Sequence, residues 1–164
     1  MFWPTASKRP SCQTLGLTST SSMNSCCEDD TTRHTTKAPC PTCASICLFV
    51  SKSTMLQHLA SPWLVQDMPA PSFFCENPNC NIVYFSQNGS TFSQSNLRTT
   101  VGLKNPGQDS VVCYCFGVTS SVAVASPNVR DFVIQQTKNK SCSCEARNPS
   151  GRCCLKHFPR RGEA

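Results

Sequence analysis

Two sets of paired cysteines dominate the chemistry this sequence could carry. Toward the end of the chain, Cys113-Tyr-Cys115 is followed, after residues 116–143, by Cys144 and then by Glu-Ala-Arg-Asn-Pro-Ser-Gly-Arg-Cys153-Cys154. Four thiolates drawn from two loops suit a [2Fe-2S] cluster, which needs two terminal thiolates on each iron. A Cys-x-Cys in an extended segment is expected to give both sulfurs to one iron. Cys144 and one of the adjacent Cys153 and Cys154 would then serve the other. A second all-thiolate zinc site would draw on the same residues, and spacing does not separate the two. A Rieske centre needs two histidines, and only His157 is near.

The earlier set is Cys40-x2-Cys43 with Cys75-x4-Cys80. Two thiolate pairs, one ahead of an expected helix and one at the turn of a hairpin, have the composition of a closed tetrahedral zinc site. Zinc has no redox chemistry, and its binding contributes to folding directly, on the order of 10 kcal/mol in zinc-finger peptides. Cys47 lies close enough to be a substitute ligand. A thioredoxin-like role for Cys40-x-x-Cys43 is weaker, because no parallel βαβ pattern surrounds it.

The elements that must position these thiols are short. Ser53 and Thr54 offer N-capping hydroxyls to a helix through Leu59, which Ser61-Pro62 ends. Ser72 to Cys75 and Ile82 to Phe85 read as strands of β-branched and aromatic residues, with Asn77-Pro78-Asn79 as the turn between them. Asn88-Gly89 is a hairpin signal leading to Thr91-Phe92. Leu97 to Leu103 reads as extended, and Lys104-Asn-Pro-Gly107 as a linker between two lobes. Thr119 can cap a helix through Val122 to Ala125. Ser126-Pro127 opens another, with Val129, Phe132 and Val133 on one face. Asn148-Pro149-Ser150-Gly151 is a turn able to fold back over a small object, its N–H groups expected to bond to cluster sulfurs.

Composition agrees with a metal-held protein. The 164 residues are 38% hydrophobic, thin for a large core, and 14 are cysteine, enough to suggest a disulfide or metal scaffold. Met1 to Thr20 carries no apolar run of the kind that directs export, so reduced thiols in the cytoplasm are expected. The apolar stretch Ile46 to Val50 is far short of a membrane helix. Residues 1–38, rich in Ser and Thr, read as a disordered leader in which Cys12, Cys26 and Cys27 are incidental. Net charge is +6, and seven Lys or Arg against Glu145 lie between Lys138 and Arg161. That positive end reads first as charge compensation for thiolates, ahead of a docking surface for an acidic redox partner or nucleic acid. His34, His58 and His157 have no acidic partner nearby in sequence, so no nucleophile and base pair is evident and conventional enzyme activity is not expected.

Taken together, Cys40, Phe-Phe-Cys75, Cys80-x-x-Val-Tyr-Phe85, Val-Gly-x-Lys104, Val112-Cys113-Tyr-Cys115 and Cys144-x3-Asn148-Pro-Ser-Gly-Arg-Cys153-Cys154 resemble the N-terminal domain of CopZ-type copper chaperones. Free-standing bacterial proteins similar to it are described as iron-sulfur cluster-binding metallochaperones. The resemblance covers roughly residues 38 to 158. It implies an α+β, two-lobed protein: a zinc-binding hairpin and helix lobe over 39–104, and a short-helix [2Fe-2S] lobe over 108–160. By that pattern zinc is held by Cys40, Cys43, Cys75 and Cys80. The cluster is held by Cys113, Cys115, Cys144 and Cys154, with Cys153 a neighbour and not a ligand. The cluster lobe is also similar to bacterioferritin-associated ferredoxins. The family's copper chaperones carry a further domain with a Met-x-Cys-x-x-Cys site, a pattern not found in these residues. Cys142 is an extra thiol beside Cys144 and is read as an ordinary surface cysteine.

The expected function is one-electron redox chemistry in copper handling, with copper as the substrate ion. The partner would be a separate copper carrier or copper-transporting ATPase. The rival readings are a two-zinc interaction module whose basic end binds nucleic acid, and a ferredoxin-type donor unrelated to copper. Colour separates the two-zinc reading from both cluster readings.

Overall fold

Short strands rich in aromatic and β-branched residues pair in chain order in the computed structural model, which describes residues 36–65 and 71–159. Strands β1 (Lys37–Pro39), β2 (Ile46–Val50), β3 (Ser72–Phe74), β4 (Ile82–Ser86) and β5 (Thr91–Ser93) form an antiparallel meander in the order β1-β2-β3-β4-β5. The leader expected over 1–38, with its three cysteines, falls outside the described residues except at its end. There Lys37 and Ala38 already pair with Leu48 and Cys47.

Register decides what each face carries. Phe73 pairs with Phe85 and Phe74 with Tyr84, the rings lying 5.4 and 5.7 Å apart. Because side chains alternate along a strand, Phe73 and Phe85 join Cys40, Cys47, Cys75 and Cys80 in one buried cluster. Phe74 and Tyr84 pack in another with Val50, Met55, Leu59 and Val101. Met55 comes from helix α1 (Lys52–His58), whose N-cap is Ser51, two residues before the first of the expected hydroxyls: its side chain accepts from Thr54 N. Thr54 is buried and its own hydroxyl is used elsewhere.

After β5 the chain departs from the expected extended run. Leu97 makes one isolated bridge to Leu59, and Gly102–Lys104 tightens into a 3-10 turn. Lys104 is buried, not an exposed linker residue. Strands β6 (Val111–Cys113) and β7 (Val118–Thr119) then form a small hairpin. Thr119 caps helix α2 (Ser120–Ala125) by accepting from Val122 N. Pro127 opens helix α3 (Pro127–Lys138), although the Ser126 side chain makes no capping bond. Helix α4 (Cys144–Arg147) is a single turn, too short to show periodicity in sequence. Cys113, Val118, Ala123, Val133, Cys154 and Phe158 form the core of this part.

The described residues belong to one compact unit. Four contacts tie the loop around Cys144 and Cys154 onto the larger sheet and α1. The Tyr84 hydroxyl donates to Pro149 O at 2.7 Å, and the Thr54 hydroxyl to Glu145 O at 2.7 Å. Arg152 Nη2 donates to Phe49 O at 2.6 Å, and Lys156 pairs with Glu76 at 2.6 Å. Among the described residues no helix is long and apolar enough to cross a membrane.

Candidate metal centres

The meander brings two hairpin loops to one end of the sheet. Pro39 opposes Ile46 across the β1-β2 loop, and Leu48 opposes Phe74, so Cys40 and Cys43 meet Cys75 and Cys80 from the β3-β4 loop. The first loop is closed by Cys40 N donating to Ser45 O and Ala44 N to Cys40 O, each at 2.9 Å, with Ala44 in the left-handed region at φ 56°. The second is closed by Cys75 N on Val83 O and Cys80 N on Asn77 O. Both cysteine pairs therefore sit on hairpin turns, and helix α1 follows β2 without adjoining Cys43.

The four sulfurs all lie within 4.8 Å of one another. Cys40 to Cys80 is 3.8 Å and Cys43 to Cys75 is 3.7 Å. A tetrahedron with bonds of about 2.3 Å has edges of about 3.8 Å, so the geometry fits one zinc held by four thiolates. Among the described residues this is the group of three or more His, Cys, Asp or Glu ligand atoms so gathered. Cys40, Cys75 and Cys80 are buried and Cys43 is partly exposed. Burial pushes the Cys75 and Cys80 thiols up, whereas the Ser45 side chain, by hydrogen bonding, brings Cys43 down to about 6.

Cys47, the suggested substitute, is buried beside the four. Its Sγ donates to Ser45 O at 3.3 Å, and burial raises it to about 11. Lys104 draws close on the same side: its Nζ donates to Asn77 O and to Cys80 O, each at 2.8 Å. Sequence reasoning missed that role, since nothing in Lys-Asn-Pro-Gly signals a buried ammonium. The Lys104 position within the resemblance was the one available hint.

The second set is arranged differently. Cys115 Sγ lies 3.7 Å from Cys144 Sγ, and Cys113 and Cys154 are buried together in the core of this part. Cys115 and Cys144 thus bring one sulfur from each loop together. The hydrogen bond from Cys154 brings Cys113 down to about 6 and drives Cys154 up. Burial, then Cys115, raises Cys144. Cys153 is exposed, and Cys142 is half-buried with its Sγ 3.9 Å from Thr137 Oγ1.

The Asn148 to Gly151 loop holds itself. Asn148 Oδ1 accepts from Ser150 N at 3.1 Å, Asn148 O from Gly151 N at 2.8 Å, and Ser150 Oγ from Arg152 N at 3.3 Å. Asn148 Nδ2 donates to Arg152 O at 2.7 Å, and Gly151 takes φ 66°. Those N–H groups are used inside the loop, so they do not face sulfur as the sequence suggested. Their effect is to fix where Cys153 and Cys154 leave the turn. In the turn after β6, Tyr114, between Cys113 and Cys115, accepts from Gly102 N at 2.8 Å and donates to Thr100 O at 3.2 Å. His58 Nδ1 lies 2.9 Å from Thr99 Oγ1, and burial lowers both His58 and His157.

A meander gathering four thiols at one end defines a class, and residues 37–98 match the zf_CopZ family model, described as "Zinc binding domain". The chain is 30% identical over 126 residues to "Copper chaperone CopZ" of Archaeoglobus fulgidus, an alignment covering 75% of this chain and 61% of that protein. The solved N-terminal domain of the same CopZ superposes with a TM-score of 0.64 at 29% identity, over 77% of this chain and 99% of the domain. The fold is thus that of the CopZ N-terminal domain, and the chain spans about 61% of the length of the curated relative.

Proposed function

We propose that this protein is a cytoplasmic metallochaperone that carries a structural zinc at Cys40, Cys43, Cys75 and Cys80 and a [2Fe-2S] cluster at Cys113, Cys115, Cys144 and Cys154. The carrying observation is the contrast between the two thiol sets. The first gathers four sulfurs about one point. The second is not gathered about one point among the described residues: Cys115 and Cys144 lie 3.7 Å apart, and Cys113 and Cys154 are buried together. Two pairs are what a two-iron centre needs, one pair per iron, and a second mononuclear zinc site would need one gathered set. This favours the cluster over the two-zinc module.

Bound there, a [2Fe-2S] cluster supplies one electron at a time, enough to take Cu(II) to Cu(I), the soft ion that thiolate carriers accept. The chain's own residues fix the thiols: Tyr114 anchors the Cys113–Cys115 turn on Gly102, and the Asn148 turn aims Cys154. The similarity to a copper chaperone supports copper as the substrate ion and a copper carrier or copper-transporting ATPase as the recipient. The activity is electron transfer without substrate bond-making, so the protein is not an enzyme in the conventional sense. A two-lobed division near residues 105–107 belongs to the same reading.

The test is anaerobic mixing of the reduced protein with Cu(II) and a chromogenic Cu(I) chelator. About one Cu(I) per cluster is expected, beyond the amount formed by Cys144→Ser, which keeps the other thiols. Equal yields from both proteins would remove copper reduction from the proposal and leave a ferredoxin-type donor.

A further inference from the structure

Lys104 is 5% exposed, and its ammonium is held between two carbonyls of the β3-β4 loop, Asn77 O and Cys80 O, each at 2.8 Å. Lysine is seldom fully buried without a reason. Here no carboxylate partners it: Glu76, the acid of that loop, pairs with Lys156 instead. What lies beyond the two carbonyls is the four-sulfur group, to which Cys80 itself belongs. Four thiolates around a divalent ion leave a net charge of −2, which a buried site tolerates only with compensation.

We infer that Lys104 is a positioning residue of the four-thiolate centre, balancing part of its negative charge while its two hydrogen bonds hold the turn that presents Cys80. This rests on the zinc reading above and deepens it. Two neighbouring features deliver the ammonium to that place. Gly102 lets the chain pass against β6, where a Cβ would overlap the Val111 carbonyl oxygen. Asn105 N then bonds to Val101 O and Gly102 O, closing the turn just after Lys104.

The inference separates charge from hydrogen bonding. Lys104→Gln keeps amide donors for the carbonyls and loses the charge, Lys104→Met loses both, and Lys104→Arg keeps both. Each full-length variant is loaded with zinc, and its affinity is measured by competition with a chromogenic chelator; Co(II) substitution and its thiolate charge-transfer bands report the coordination. Charge balance predicts that Gln and Met both weaken zinc binding by roughly 10- to 100-fold, as outer partners of metal ligands commonly do. Arg should stay within about threefold of the wild type, and all folded variants should keep four-thiolate Co(II) spectra. Zinc affinity unchanged in Gln overturns the inference, as does equal loss in Arg and Met. If Gln and Met fail to fold, Arg decides: retention of zinc supports the role, and loss overturns it. Wild-type protein that binds no zinc would fail earlier, removing the zinc reading itself.

Discussion

The hydroxyl of Tyr84, on strand β4, donates to the carbonyl of Pro149 at 2.7 Å, a buried bond joining the large sheet to the turn before Cys153 and Cys154. Burial raises the Tyr84 phenol, so it remains a donor throughout the ordinary pH range. Through this bond the aromatic strand that lies beside the first thiol set also supports the second. Tyr84→Phe keeps the ring and strands a buried carbonyl, which costs about 1–3 kcal/mol. The expected outcome is a lower Tm with little change in circular dichroism, and faster bleaching of the cluster band. An unchanged Tm would show that Pro149 O finds another donor.

Gly102 is required by close approach and not by turn conformation, since an added Cβ would overlap Val111 O. Gly102→Ala must push β6 away, and with it Cys113 and the Tyr114 anchor. Overpacking of this kind costs about 1–3 kcal/mol. Reduced iron content, with zinc binding weakened no more than in Lys104→Met, is the expected pattern, read by elemental analysis and chelator competition.

Cys153 and Cys154 are adjacent in sequence but unlike in setting. Cys154 is 2% exposed and buried in the same core as Cys113, whereas Cys153 is exposed. Cys154→Ser should abolish the visible absorbance of the anaerobically purified protein, and Cys153→Ser should leave it within roughly a fifth of wild type, the change being peripheral. The reverse result would reassign the ligand.

His58 gives the stability a pH dependence of known sign. Burial holds its imidazole below the usual 6.5, with the Ala146 and Asn148 carbonyls opposing only in part. The folded state therefore binds fewer protons than the unfolded chain as pH falls below 6.5. Stability is fully present above that value and declines toward the folded pKa. Between pH 7.5 and about 6, where loss of metal is not yet dominant, Tm should fall less steeply in His58→Gln than in the wild type. Parallel slopes would contradict the assignment.

Much of this arrangement could be read from residue types. The strands at Ser72 and Ile82, the Asn88-Gly89 hairpin, the Thr119 cap and the Pro127 helix start each carry a local signal, and each element forms. Cys40, Cys43, Cys75 and Cys80 were grouped by spacing, and the meander gathers them. What escaped depends on contacts between distant segments. Strand β1 is three residues at the edge of a polar stretch, and only pairing with β2 makes it a strand. Lys104 looked like linker because burial of a lysine is decided by the carbonyls of Asn77 and Cys80, far away in sequence. The approach of Cys115 to Cys144 is set by two loops meeting, which no spacing within either loop encodes.

The account's central claim is one zinc and one two-iron cluster on a single chain, and the most direct measurement is quantification of zinc, iron and acid-labile sulfide after anaerobic purification, with EPR of the reduced protein. The predicted result is one zinc, two irons and two sulfides per chain, ratios that follow from one mononuclear and one [2Fe-2S] site, with a rhombic or axial signal from a single unpaired electron. Two zincs per chain, with no sulfide and no signal, would contradict it.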